Sequence, residues 1–213
     1  MPRAARSNPL ALAVLVTLAE RPMHPYEVAQ TLRQRAKQES VRLNYGSLYA
    51  VVEALEKRGL IRAKETVKDG KRPERTIYEM TDDGEREMVD WMTELIGVPI
   101  KEYPAFMAGL SFLPALEPED ALAALRIRAD VLTVKLAGLK GGMEATKKAG
   151  LPRLFELEVE YEEELLAAER KFVRALIEDI EAGVLEGLEM WRSFHADGAN
   201  PEEFAITLQP PSE

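Results

Sequence analysis

Apolar residues recur at helical spacing almost from the start of the chain. Leu10, Val14, Leu15 and Leu18 make one face, and Asn8-Pro9 reads as a helix start because Asn accepts from free N–H groups while Pro at the first position sacrifices none. Glu20-Arg21-Pro22 ends that helix, and a second begins near His24-Pro25-Tyr26, with Val28, Ala29 and Leu32 inward. Beyond the polar stretch Gln38 to Leu43, Asn44 is expected to cap a third helix carrying Leu48, Val51, Val52 and Leu55, with Gly59 as its stop. The period then becomes that of strands. Residues 61–67 and 75–80 form a predicted hairpin whose turn, 68–74, contains Asp69-Gly70 and a basic tip. Thr81 caps a fourth helix, in which Met88, Trp91, Met92 and Leu95 share a face and Glu85, Glu87 and Asp90 crowd the positive end.

The second half reads differently. Between Gly97 and Pro118, four prolines and Gly109 interrupt an apolar stretch, which predicts a packed connector. Leu122, Leu125, Ala129, Leu132, Leu136 and Leu139 then follow at steps of three and four, a coiled-coil type seam expected to end at Gly138, Gly141 and Gly142. No strand precedes those glycines and no Lys-Ser or Lys-Thr follows, so they are not a phosphate loop. Pro152 starts a second long helix with Leu154, Leu157, Tyr161, Leu165, Ala168, Phe172, Leu176 and Ile180 as its seam and Ala182-Gly183 as its exit. The glutamates from Glu156 to Glu169 surround this helix instead of converging, which makes them a solvated face and not a metal site. Beyond Asp197-Gly198 the chain is polar and proline-containing, and a disordered tail is expected.

The chain has 213 residues, 46% hydrophobic and 31% charged, which suits one large or two small globular domains. Zero cysteines exclude a disulfide framework and a thiolate zinc site, and two histidines leave little metal chemistry. The basic opening is followed by too short an apolar run for a signal peptide, and no stretch reaches the length of a spanning helix. A cytoplasmic protein without a membrane partner is expected. The net charge of -9 is unevenly divided. Residues 1–80 hold 15 Lys and Arg against 9 Asp and Glu, and the remainder 13 against 28. The basic half is able to neutralise phosphates, which the overall charge conceals.

Three short helices and a two-stranded hairpin follow the order of a winged helix-turn-helix, whose third helix enters the major groove while the wing touches the backbone. The expected fold is mainly α with a small β-wing: a DNA-binding domain over 1–96, a helical dimerisation and effector domain over 97–195, and a tail over 196–213. Asn44, Tyr45, Ser47 and Tyr49 offer neutral donors and acceptors on the first turns of helix three, and Lys68, Lys71, Arg72 and Arg75 charge the wing. The segments Met23-His24-Pro25-Tyr26-Glu27-Val28, Tyr45-Gly46-Ser47-Leu48-Tyr49, Leu55-Glu56-Lys57-Arg58-Gly59-Leu60-Ile61, Lys71-Arg72-Pro73-Glu74-Arg75-Thr76-Ile77-Tyr78 and Met80-Thr81-Asp82-Asp83-Gly84 resemble the PadR family of transcriptional regulators, in order, over residues 8–95. Pro25 stands where that family usually has Gly, and Met80 where it has Leu.

The resemblance implies a DNA-binding regulator, a repressor acting as a homodimer on a double-stranded operator and tuned by an effector. No cofactor and no catalytic step is required. The other class is a protein-interaction module whose winged helix no longer binds DNA. Tyr49 reads either as a boundary core ring or as a DNA contact, whereas Tyr26 and Tyr78 are expected in the core. The glutamates of helix three, Glu53 and Glu56, would repel phosphate, leaving its first turn and a half to approach the duplex. Trp91, Phe106, Tyr161 and Phe172 are candidates for core packing or for a dimer-interface face that holds a small flat aromatic effector, as in multidrug-sensing members of the family.

Overall fold

The computed structural model describes residues 8–38, 40–67 and 75–196. It divides into two compact units, Met1–Glu102 and Tyr103–Glu213.

In the first unit, Pro9–Glu20 (α1) opens where Asn8 Oδ1 accepts from Leu10 N–H at 3.1 Å. It is apolar nearly all round because it packs against Pro25–Gln34 (α2), Tyr45–Lys57 (α3), Asp82–Gly97 (α4) and the second strand. Val14 and Leu15 are fully buried, each such side chain contributing about 1.5–3 kcal/mol of burial. Pro25 fits as the first residue of α2, where its missing N–H costs nothing, and His24 completes a capping box. The His24 Nδ1 accepts from Tyr26 N–H at 3.1 Å, and Glu27 Oε2 accepts from His24 N–H at 3.0 Å. Asn44 Oδ1 accepts from Gly46 N–H at 2.9 Å, capping α3 as its sequence predicts. Gly59, at φ 71°, ends that helix while Leu60 N–H donates to Leu55 O and Gly59 N–H to Glu56 O.

Ile61–Val67 (β1) and Arg75–Met80 (β2) pair antiparallel from Ile61 opposite Met80 to Val67 opposite Arg75, with an irregularity between Ala63 and Glu65. Met23 exchanges both backbone hydrogen bonds with Tyr78, which ties the α1–α2 connection to β2. The start of α4 is clamped to the end of α3. Thr81 Oγ1 donates to Gly59 O at 2.7 Å and accepts from Gly84 N–H, and Arg58 pairs with the buried Glu87 at 3.3 Å. A side chain at position 84 would lie 2.0 Å from Leu60 O, so only glycine permits this approach. Of the predicted α4 face, Trp91 is buried and Met88 half-buried, whereas Met92 and Leu95 are exposed.

The second unit departs further from expectation. The proline-rich connector contains a helix, Ala105–Ser111 (α5), and a single 3₁₀ turn at Leu113–Ala115. Pro118–Lys148 (α6) continues through Gly138, Gly141 and Gly142 and stops only at Gly150, at φ 80°. Glycine in a helix interior costs about 1 kcal/mol against alanine, a penalty that packing along Leu157–Glu181 (α7) outweighs. Pro152 opens a 3₁₀ turn at Arg153–Phe155 instead of α7 itself. Leu188–Phe194 (α8) follows two left-handed glycines, Gly183 and Gly187. Ala121, Leu125, Ala129 and Leu132 of α6 meet Val173 and Ile180 of α7, with Leu188 and Trp191 of α8 closing the core. Trp191 Nε1 donates to Leu116 O at 2.8 Å.

The face of α7 directed into this core is Leu166, Val173, Leu176, Ile177 and Ile180, which shares only Leu176 and Ile180 with the predicted seam. Leu154, Leu157, Tyr161, Leu165 and Phe172 are exposed. The helix carries two apolar faces, and the predicted seam follows the one that a single chain leaves uncovered as far as Phe172 before crossing to the core side at Leu176 and Ile180.

Candidate nucleic-acid interface

Helix α3 buries Leu48, Val51, Val52 and Leu55, which turns its opening residues outward. Asn44, Tyr45, Ser47 and Tyr49 are all exposed at its N-terminal end, where free N–H groups and the helix dipole favour anions. The Asn44 carbonyl oxygen is engaged in the cap, leaving its amide donors for other partners. Tyr49, at 48% exposure, is not a core ring, and it meets His24 edge-on at 6.4 Å between centroids.

Helix α2 adds residues to this surface that the sequence did not single out. Tyr26 is 44% exposed, contrary to the core position expected of it, because it lies on the side of α2 away from Val28, Ala29 and Leu32. Its ring stacks on Tyr45 with centroids 6.1 Å apart and an interplanar angle of 10°. The Arg33 guanidinium lies 4.2 Å from the Tyr45 centroid and also contacts the Tyr45 hydroxyl. Gln30 donates to the Tyr26 hydroxyl at 3.3 Å. Two aromatic rings and an exposed cation therefore stand beside the first turn of α3. Tyr26, Gln30 and Arg33 are spaced at four and three residues, the signal that places them on one polar face.

Between α3 and β2 lies a groove lined by His24, Tyr49, Glu53, Glu56, Thr76 and Tyr78. Tyr78 is half-buried against the core, as expected, and burial raises its pKa, reinforced by the nearby Glu56 and then Glu53 carboxylates. Burial lowers the pKa of His24, the positive charge of Arg75 adds to this, and Glu27 opposes it. Arg75 is exposed at the start of β2. Lys68, Lys71 and Arg72 lie outside the described residues, as does the tail expected from 197 onward.

Of the four aromatic candidates of the effector reading, Trp91 belongs to the first unit and Phe106, Tyr161 and Phe172 to the second. Trp91 is a correction: at 2% exposure it is sealed in the core of the first unit, against α1 and α3 residues, and offers no surface. In the second unit Phe106 is half-buried, covered by the Arg128 guanidinium at 3.7 Å from its centroid. Tyr161 and Phe172 share the exposed face of α7. A separate apolar pocket of about 300 Å³, lined by Leu110, Leu113, Leu176, Met190, Trp191 and Phe194, lies in the same unit and was not foreseen, since α8 was not. Among the described residues, no helix is long and apolar enough to cross a membrane.

Residues 14–90 match the family model of the transcriptional regulator PadR-like family. Comparison with curated protein sequences gives no match. Among solved structures, the chain is similar to Bacillus subtilis PadR in complex with operator DNA, at 20% identity and TM-score 0.64 over 80% of this chain and 98% of that one. It is similar to Bacillus subtilis PadR in complex with p-coumaric acid, at 18% identity and TM-score 0.66 over 81% and 98%. The Vibrio cholerae virulence activator AphA has the same fold, at 15% identity and TM-score 0.61 over 81% and 98%. Three helices, an antiparallel wing and a clamped α4 follow in this order, and it is this part of the chain, residues 14–90, that matches the PadR-like family of transcriptional regulators.

Proposed function

We propose that this protein is a sequence-specific DNA-binding repressor that acts as a homodimer in the cytoplasm and is tuned by a small aromatic effector, without a catalytic step. The observation that carries the reading is the exposed N-terminal turn of α3, flanked by the Tyr26–Tyr45 stack and Arg33. Asn44, Tyr45, Ser47 and Tyr49 meet the groove, while Lys68, Lys71, Arg72 and Arg75 hold the backbone. Helix-turn-helix proteins read two half-sites as two-fold dimers, and the uncovered α7 face of Leu157, Tyr161, Leu165 and Phe172 supplies an apolar surface for a second copy. The effector is a single-ring aromatic, a size suited to the pocket of about 300 Å³ beside Trp191 and of the same class as the p-coumaric acid bound by the Bacillus subtilis relative. Tyr161 and Phe172 would lie within that dimer surface.

The test is binding of the purified chain to the DNA beside its own coding region, followed at increasing salt. Affinity is expected to fall steeply and linearly on logarithmic axes. No binding, or binding indifferent to salt, would transfer the winged helix to protein interaction.

A further inference from the structure

The line of α3 directed furthest from the core runs through Gly46, Ala50, Glu53 and Lys57, in steps of four, three and four, all exposed. Leu48, Val51, Val52 and Leu55 occupy the opposite side. Tyr49 stands off this line toward His24, and Asn44, whose Oδ1 caps the helix, precedes it. The outward ridge is thus bare over its first two turns, and its first long side chain is that of Glu53. Gly46 and Ala50 allow the helix to lie close to a groove floor, and that approach brings Glu53 to the base edges.

A carboxylate only accepts hydrogen bonds. In the major groove it is repelled by guanine N7 and O6 and by thymine O4, and adenine sets an acceptor beside its amino group. Cytosine presents its N4 amino group as the only hydrogen-bonding feature of its edge. Among the described residues Glu53 makes no hydrogen bond or ion pair that would compete with such a donor. We propose that Glu53 is a specificity-determining residue that accepts a hydrogen bond from a cytosine N4 amino group in each operator half-site. This rests on the DNA-binding reading above. Repulsion between Glu53 and phosphates then weakens binding to other sequences, so the residue gains discrimination at the expense of general affinity.

The experiment selects duplexes from a randomised library with the full chain, then compares wild type, Glu53→Ala and Glu53→Gln on the selected and on random duplexes. The wild type is expected to enrich a cytosine at one fixed position of each half-site. Glu53→Ala should lose about tenfold of the preference at that position while binding random duplex more tightly, with an unchanged melting temperature. Glu53→Gln, able to donate as well as accept, should move the preference toward adenine. If Glu53→Ala tightens selected and random duplexes by the same factor, Glu53 is a surface charge and the proposal falls. If the wild type binds no duplex at all, the DNA-binding reading falls first and takes the proposal with it.

Discussion

At the scale of single residues, His24 carries more than its place in a turn implies. Its Nδ1 must keep a lone pair to accept from Tyr26 N–H, and burial together with Arg75 holds the imidazole neutral. A folded-state pKa below 6.5 means that the unfolded chain takes up the proton more readily. The cap is therefore complete above that pH, and its contribution is lost as pH falls through the lower folded value. Thermal melts between about pH 7.5 and pH 5 should show the melting temperature of wild type falling further than that of His24→Asn, which caps without titrating. Equal slopes would remove His24 from the acid response. Much of the surrounding surface was legible beforehand. Asn44 announces a cap, and the alternation of Leu48, Val51 and Val52 with Tyr45, Ser47 and Tyr49 announces which residues face outward. The Tyr26–Tyr45 stack was not legible, because it exists only once α2 and α3 dock, and nothing local in Pro25-Tyr26 distinguishes an exposed ring from a buried one.

At the scale of elements, α7 separates two kinds of apolar residue only one position apart. Val173 is fully buried against α6, whereas Phe172 is half in water. Val173→Ala should destabilise the second unit by about 1–3 kcal/mol at every protein concentration. Phe172→Ala should leave that packing intact and weaken self-association by about tenfold, read by sedimentation and by a shallower dependence of melting on concentration. The same loss of stability for both, with no change in association, would return the outer face to the solvent. Helix periodicity revealed α1, α2, α3, the hairpin and α6 because each has a single dominant apolar face or a strict alternation. It traced α7 only in part, because that helix has two such faces and the predicted seam reaches the core only at Leu176 and Ile180. It lost α5 and α8, each 7 residues long and set among prolines or glycines. It stopped α6 at Gly138 because intrinsic propensity, read alone, ignores the stabilisation from packing on α7.

At the scale of the whole molecule, charge is partitioned along the chain, with 15 basic against 9 acidic residues up to position 80 and 13 against 28 beyond it. Under the proposed function, a polyanion is expected to meet the first of these parts. Lys71→Ala with Arg72→Ala should flatten the slope of log affinity against log salt by about one to two units, whereas an unchanged slope would take the wing out of the interface. The clamp joining the end of α3 to the start of α4 has a mechanical consequence. Thr81 bonded to Gly59, Gly84 pressed on Leu60 and Arg58 paired with Glu87 leave no hinge between the two helices. Helices α3 and α4 form the two arms of one crank. Helix α3, with 13 residues, is about 20 Å long, so a 10° swing imposed on α4 sweeps its far tip sideways by about 3.5 Å, the rise from one base pair to the next.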